Sequence, residues 1–160
     1  MKKFHEILLL IGQLNYTWTN TESLLIYLIA GLAKVDKETA IVIFLTLNTT
    51  RARLELVERL AKLEKTPLAR RQEILAVTQQ LGRQGKLRNK YSHCIYSFDE
   101  TGDQASTQLM SIFDSKDTIK YGKIEQIDDS EIARINEAIE QIMRINKEIW
   151  AIVERYSFPR

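Results

Sequence analysis

The chain has 160 residues, of which 44% are hydrophobic and 28% are charged, and its formal net charge at pH 7 is +2. This composition is typical of a soluble globular protein, and the length predicts one domain spanning residues 1–160. The longest apolar run, residues 24–33, is about half of what a membrane span requires, and the single cysteine, Cys94, excludes an internal disulfide or a multi-cysteine zinc site. We therefore expect a cytoplasmic protein without a transmembrane segment, whose basic start is the first helix rather than a signal peptide.

The charged residues are distributed unevenly along the chain. Residues 51–90 contain eleven basic and four acidic side chains, a local charge of +7, whereas residues 91–160 contain eight basic and thirteen acidic side chains, a local charge of −5. A polyanion would be attracted to the basic segment. Two interpretations stay open, because a run of charge is also a common solvated helix face.

Apolar residues at three- and four-residue steps predict three long helices in the first part of the chain. The first covers residues 3–34, with a break possible near residues 19–22. The second covers residues 37–64, with Asp36 as its N-cap and no interruption at residues 46–50. The third covers residues 67–96, where Thr66 and Pro67 suit a helix start. Glycines 82 and 85 inside it predict a kink, a separate short helix or a close approach by another chain.

The periodicity changes in the region before the last helix. Alternating apolar residues predict a β-hairpin that pairs residues 107–113 with residues 118–126, and apolar residues on both faces of its first strand suggest that it is covered on both sides. Acidic residues at 128–131 mark the start of the last helix, whose seam includes Asn146, for which we expect a buried position and a partner. The predicted fold is mainly α: a four-to-five-helix up-and-down bundle with a hairpin inserted at about residues 105–127.

One motif near the end of the third predicted helix combines the tools for cutting RNA without a metal. His93 is one of two histidines in the chain, and Arg88 and Asn89 precede it. Arginine can hold a phosphate, and imidazole can move a proton at neutral pH. On one helix Asn89 and His93 share a face, but Arg88 lies about 140° away from His93. A complete site would therefore need a loosened helix end or a second chain.

The sequence Arg88-Asn89-x-x-x-His93 resembles the Arg-Asn-x-x-x-His signature of the HEPN superfamily, whose members are also helical bundles. The resemblance implies a metal-independent endoribonuclease, without a cofactor, that forms a homodimer with the two motifs facing each other. Many such proteins are toxins or defence components, so an antitoxin or other protein partner is expected. His93 would be the general acid or base, Arg88 would bind the phosphate, and Asn89 would orient either group. The candidate RNA contacts are Lys90, Ser92, Arg83 and Lys86.

Each motif residue also has a purely structural interpretation. His93 could interact with the last carbonyls of a helix, Arg88 could pair with Glu22 or Glu55, and Asn89 could cap a helix. Cys94 is expected to be an inert apolar residue. The alternative function is therefore a non-catalytic bundle that binds a ligand or a protein partner through its last helix or its hairpin. Exposure of Arg88 and His93 in a shared cleft, especially across a two-fold axis, would favour the enzyme, whereas burial of His93 with a satisfied hydrogen bond would favour the alternative.

Overall fold

The computed structural model describes residues 2–160, and within that range the chain forms six helices and five short strands. The helices are α1 (Lys2–Glu22), α2 (Leu25–Ala33), α3 (Lys37–Thr46), α4 (Thr50–Ala61), α5 (Leu68–Ser92) and α6 (Asp129–Arg155). The strands are β1 (Cys94–Phe98), β2 (Ala105–Leu109), β3 (Ile112–Asp114), β4 (Ile119–Tyr121) and β5 (Ile124–Gln126). The prediction of a mainly helical protein with strands before the last helix is confirmed.

Acidic side-chain caps fix the starts of α3 and α6. Asp36 accepts a hydrogen bond of 2.7 Å from the backbone N–H of Thr39, as predicted. Asp128 accepts one of 2.8 Å from the N–H of Glu131 at the start of α6. These short polar side chains satisfy backbone donors that have no partner within the helix, so the acidic sequence signals identify real boundaries.

Two of the predicted long helices are interrupted. The first ends at Glu22 and restarts at Leu25, within one residue of the predicted break. The prediction of one helix over residues 37–64 is wrong, because α3 ends at Thr46 and Leu47 adopts an extended conformation. Thr49 then caps α4 by accepting a hydrogen bond of 3.1 Å from the N–H of Ala52. A threonine cap thus outweighs the continuous apolar periodicity at this position.

The strand region contains more than the predicted hairpin. Strand β2 pairs antiparallel with both β1 and β5, giving the order β1-β2-β5, and β3 pairs antiparallel with β4 in a separate two-stranded ladder. The predicted pairing of residues 107–113 with 118–126 is therefore present but divided into two ladders. The predicted helix over 67–96 is too long, because α5 ends at Ser92 and Cys94–Phe98 is a strand. Coverage of both strand faces is also wrong, since Met110, Ile112 and Phe113 are exposed.

The contacts divide the chain into two compact units. The first unit combines the residues up to Tyr16 with Lys86–Ile139, and therefore includes all five strands. Its interior contains apolar residues from α1, from the end of α5, from β2 and from α6. They include Ile7, Leu10, Leu14, Tyr91, Ala105 and Ile135, together with Ile127 just before α6. Phe4 also packs edge-on against Phe98, with ring centroids 4.8 Å apart, which ties β1 to α1.

The second unit combines Thr17–Gly85 with Glu140–Arg160. Its largest buried residue is Trp18, whose indole N–H donates a 2.7 Å hydrogen bond to Glu22. A Cβ on Gly85 would lie 2.9 Å from Trp18 Cη2, so this glycine admits the indole of the same chain and α5 continues without a break. Asn146 is partly buried rather than fully buried, and it donates a 3.1 Å hydrogen bond to the buried Thr21 hydroxyl, the expected partner.

Candidate functional site

The three motif residues all lie in the first unit, at the junction between α5 and β1. His93 follows the last helical residue, and its backbone N–H still donates a 3.1 Å hydrogen bond to the carbonyl of Asn89. Its own carbonyl accepts a 3.2 Å hydrogen bond from the N–H of Met110. The His93 backbone is therefore fixed on both sides, while its side chain is exposed.

Arg88 and Asn89 interact directly one turn before the histidine. The guanidinium Nη1 of Arg88 donates a 3.2 Å hydrogen bond to Asn89 Oδ1. Arg88 is partly buried and Asn89 is exposed. The side-chain nitrogen of Asn89 is a hydrogen-bond donor, which this bond does not use. The i to i+4 backbone bond also keeps Asn89 and His93 on the same side of the helix end.

Lys90 is a structural residue as much as a candidate RNA contact. Its ammonium lies 2.7 Å from a carboxylate oxygen of Glu125 and 2.8 Å from one of Glu131. Burial lowers the pKa of Lys90, but the hydrogen bonds and charges of the two carboxylates outweigh it, so the pKa is raised overall. The two carboxylates already neutralise the positive charge of Lys90, so its attraction to an RNA phosphate is weak.

Tyr91 connects the same helix end to the start of α6. Its hydroxyl donates to Glu131, and burial together with this hydrogen bond raises its pKa. Burial alone would raise the pKa of Glu131, yet the hydrogen bonds from Lys90 and Tyr91 lower it overall. Glu131 therefore stays ionised and holds two consecutive residues of the motif helix. The acidic cluster at 128–131 indicated a helix start, but no sequence signal identified Glu131 as the partner of residues 40 positions earlier.

Two further contacts fix the junction. Ser92 donates a 3.0 Å hydrogen bond to Asn15 Oδ1, so the predicted RNA contact binds α1. The Tyr96 hydroxyl donates a 2.7 Å hydrogen bond to the carbonyl of Tyr91. Cys94 is partly buried, with its sulfur 3.6 Å from the same carbonyl. The end of α5 is thus held by α1, by β1 and by α6.

The remaining basic residues fall into two groups. Lys86 is exposed in the first unit, whereas Arg83 is exposed but belongs to the second unit. Several other arginines of the basic segment are engaged by acids of the second unit: Arg53 binds Glu22, and Arg51 lies 3.0 Å from Glu55. The two acids considered as partners for Arg88 therefore hold other arginines. Glu55 is already counted in the local charge of +7, so of these two acids only Glu22 offsets that charge further.

Among residues 2–160, no helix combines the length and the apolar character needed to cross a bilayer. Within the same residues, no group of three or more histidine, cysteine, aspartate or glutamate side chains is placed to bind a metal ion. No protein family, curated protein or solved structure matches the chain. The functional argument therefore depends on the geometry of the motif itself.

Proposed function

We propose that the chain is a cytoplasmic, metal-independent endoribonuclease of the HEPN type, acting as a toxin or defence component. The observation that supports this most strongly is the exposure of the His93 side chain on a backbone that is fixed at both its N–H and its carbonyl. A general acid or base must reach its substrate and keep a defined position. A histidine kept for packing would be buried and satisfied within the fold.

The proposed reaction is an internal transesterification of RNA. His93 accepts the proton of the ribose 2′-hydroxyl while O2′ attacks phosphorus, the bond from phosphorus to O5′ breaks, and the leaving O5′ takes a proton from a second acid. The products are a 2′,3′-cyclic phosphate and a free 5′-hydroxyl. Arg88 balances the charge that accumulates on the phosphoryl oxygens, and the Asn89 amide donates to one of them. The resemblance assigns the second acid to the facing motif of another copy.

The RNA backbone would approach along the exposed residues of α5 near the motif. Lys86 is exposed and is the best-placed of the candidate contacts in the first unit. Lys90 and Ser92 instead position the helix end, through Glu131 and Asn15 respectively. A phosphate contact from Lys86 would add affinity without sequence preference.

Cleavage of labelled RNA in EDTA tests the proposal. His93→Ala should lower the cleavage rate by at least about 100-fold, the usual contribution of a general acid or base. The matched control is His5→Ala, which removes the only other histidine of the chain, also exposed and also in the first unit. Identical cleavage by wild-type and His93→Ala protein would refute the assignment.

A second pair of variants tests the role of the arginine. Arg88→Ala should reduce cleavage much more than Arg83→Ala, which removes an exposed candidate RNA contact one and a half turns earlier on the same helix. If both reduce the rate equally and the loss is reversed by lowering the salt, the two arginines act through general charge rather than at the reacting phosphate.

The non-catalytic alternative also has an observation in its favour. Large apolar side chains on the strands are exposed, which is typical of a surface that binds another protein. If the chain is such a non-catalytic binding protein, an antitoxin-like or other partner would bind equally well to the wild-type and His93→Ala proteins. Neither of these two proteins would then cleave RNA in EDTA.

A further inference from the structure

Five apolar side chains form one exposed surface on the strands of the first unit. We define this strand surface as Ile95, Met110, Ile112, Ile119 and Tyr121, each 51–70% exposed. Four of them line one open groove of about 340 Å³: Ile95, Met110, Ile112 and Tyr121. The side chains therefore belong to one surface rather than to scattered positions, and scattered exposure would need no explanation.

The register of β3 and β4 leaves this small ladder apolar on both faces. Ile112 lies opposite Tyr121, and Ile119 lies opposite Asp114, so the three apolar residues of these pairs share one face. Phe113, opposite Lys120, lies on the other face and is 64% exposed. A two-stranded ladder of three residues per strand is marginally stable in water unless something covers it.

The ladder is nevertheless held in a defined position against the three-stranded sheet. The N–H of Gly122 donates a 2.9 Å hydrogen bond to the carbonyl of Ser111, and the N–H of Leu109 donates one of 3.3 Å to the carbonyl of Lys123. A Cβ at Gly122 would lie 2.0 Å from the Leu109 carbonyl oxygen, so only glycine permits this close approach. The apolar surface is therefore preorganised, which lowers the entropic cost of binding.

The size of the strand surface matches what a stable dimer requires. With about 200 Å² for each large apolar side chain, the observed exposed fractions of the five residues amount to roughly 600 Å². A specific interface buries about 800 Å² per partner, of which about 57%, or roughly 450 Å², is apolar. One protomer thus already presents the apolar area of a standard interface.

The charges around the surface favour a second copy of the chain over a partner that is strongly acidic or strongly basic. Asp114 and Asp117 alternate with Lys116 and Lys120 at the exposed end of the β3–β4 ladder. Two acids and two bases give this rim no net charge. A two-fold axis can place the acids of one copy against the bases of the other, since an isologous interface brings the same patch together.

We propose that the strand surface is a homodimer interface in which two copies of this chain pack their β3–β4 ladders and grooves against each other around a two-fold axis. The inference is independent of ribonuclease activity, because it follows from apolar area and charge and not from His93. Its tests therefore measure association, and a protein that dimerises without cleaving RNA would refute only the proposed function.

Sedimentation equilibrium of the full chain provides the test. Wild-type protein should dimerise with a Kd of about 10 µM or tighter, at the weak end of what interfaces of this size show. Ile112→Ser and Tyr121→Ser should each raise that Kd by at least about 30-fold, the effect of losing a hot-spot side chain. The matched control is Val42→Ser with Leu45→Ser, two α3 residues that are equally exposed, at 61% and 62%. The control should dimerise like the wild type.

Three results would overturn the proposal: a monomeric wild-type protein at 100-fold above the expected Kd, a dimer unaffected by the strand variants, or a dimer disrupted only by the α3 control. Hydrogen exchange of unmodified wild-type protein guards against misfolded variants. Amides of residues 112–121 should gain protection as the concentration rises through the Kd. A dimer that leaves this exchange unchanged would place the interface elsewhere.

Discussion

Replacing Glu131 with alanine should loosen the end of α5 that carries the motif. The Glu131 carboxylate accepts from the Tyr91 hydroxyl and lies 2.8 Å from the Lys90 ammonium. Tyr91 is 2% exposed, so the change removes the carboxylate acceptor of a buried side chain. Lys90 keeps its contact of 2.7 Å with Glu125.

The free energy of unfolding should fall by about 2–4 kcal/mol in Glu131→Ala. A buried hydroxyl left without an acceptor costs about 1–3 kcal/mol. Loss of the ion pair with Lys90 should cost an amount between that of an exposed pair, about 0.2–1 kcal/mol, and that of breaking a buried pair, about 3–5 kcal/mol. The cost is moderated because Lys90 keeps its second ion pair, with Glu125. Glu131→Gln should cost less, about 1–2 kcal/mol, because an amide oxygen can still accept from Tyr91.

Urea denaturation of a double-mutant cycle measures this coupling. Glu131→Ala should be less destabilising by about 1–2 kcal/mol when Tyr91 is already phenylalanine, since no hydroxyl is then left without an acceptor. The urea m-value should stay constant, so that the change reports stability and not compactness. Equal costs of Glu131→Ala in both backgrounds, within about 0.5 kcal/mol, would show that the two side chains do not stabilise each other.

The remaining predictions concern pH and the glycines of α5. The pKa values of Glu131 and Glu125 are lowered from 4.5 in the folded protein, so their contribution to stability is present above pH 4.5 and is lost as the pH falls through the folded pKa values. Urea unfolding between pH 6 and pH 3 should show this loss, with a smaller slope in Glu131→Gln, and an unchanged slope would contradict the assignment. Gly82→Ala should stabilise the protein by about 0.5–1 kcal/mol, because the added methyl meets only an ordinary contact at 3.6 Å. Gly85→Ala should destabilise it by about 1–2 kcal/mol, because the methyl would lie 2.9 Å from the Trp18 ring, and equal effects of the two alanines in thermal unfolding would refute the packing argument.

Local sequence signals predicted the elements whose causes are local. The caps at Asp36 and Asp128 are hydrogen bonds from backbone N–H groups three residues later in the chain. Because both partners of each bond lie within four consecutive residues, the local sequence is enough to predict them. The seam of α6 is also local, because its spacing repeats every three or four residues. Strand β1 was missed because its apolar residues continue the spacing of the preceding helix, and its pairing with β2 depends on residues 7 to 15 positions away.

The motif could be located from the sequence, but its support could not. The sequence placed His93 inside a helix, whereas it lies one residue beyond the helix, with its carbonyl bonded to Met110. The contacts of Ser92 with Asn15 and of Tyr91 with Glu131 join residues 77 and 40 positions apart. No periodicity or cap rule relates such distant residues, so these contacts had to be read from the fold.

The dependence of the motif helix on Glu131 also sets an order of events during synthesis. Ribosomes add about 5–20 residues per second, so Glu131 follows His93 by about 2–8 seconds. During that interval Lys90 and Tyr91 have been made, but the carboxylate that holds them has not. The helix end that carries Arg88 and Asn89 thus acquires its final geometry only after the first turn of α6 is available. A nascent chain stalled before residue 131 would contain Arg88, Asn89 and His93, but the helix end that positions them would lack its contacts with Glu131.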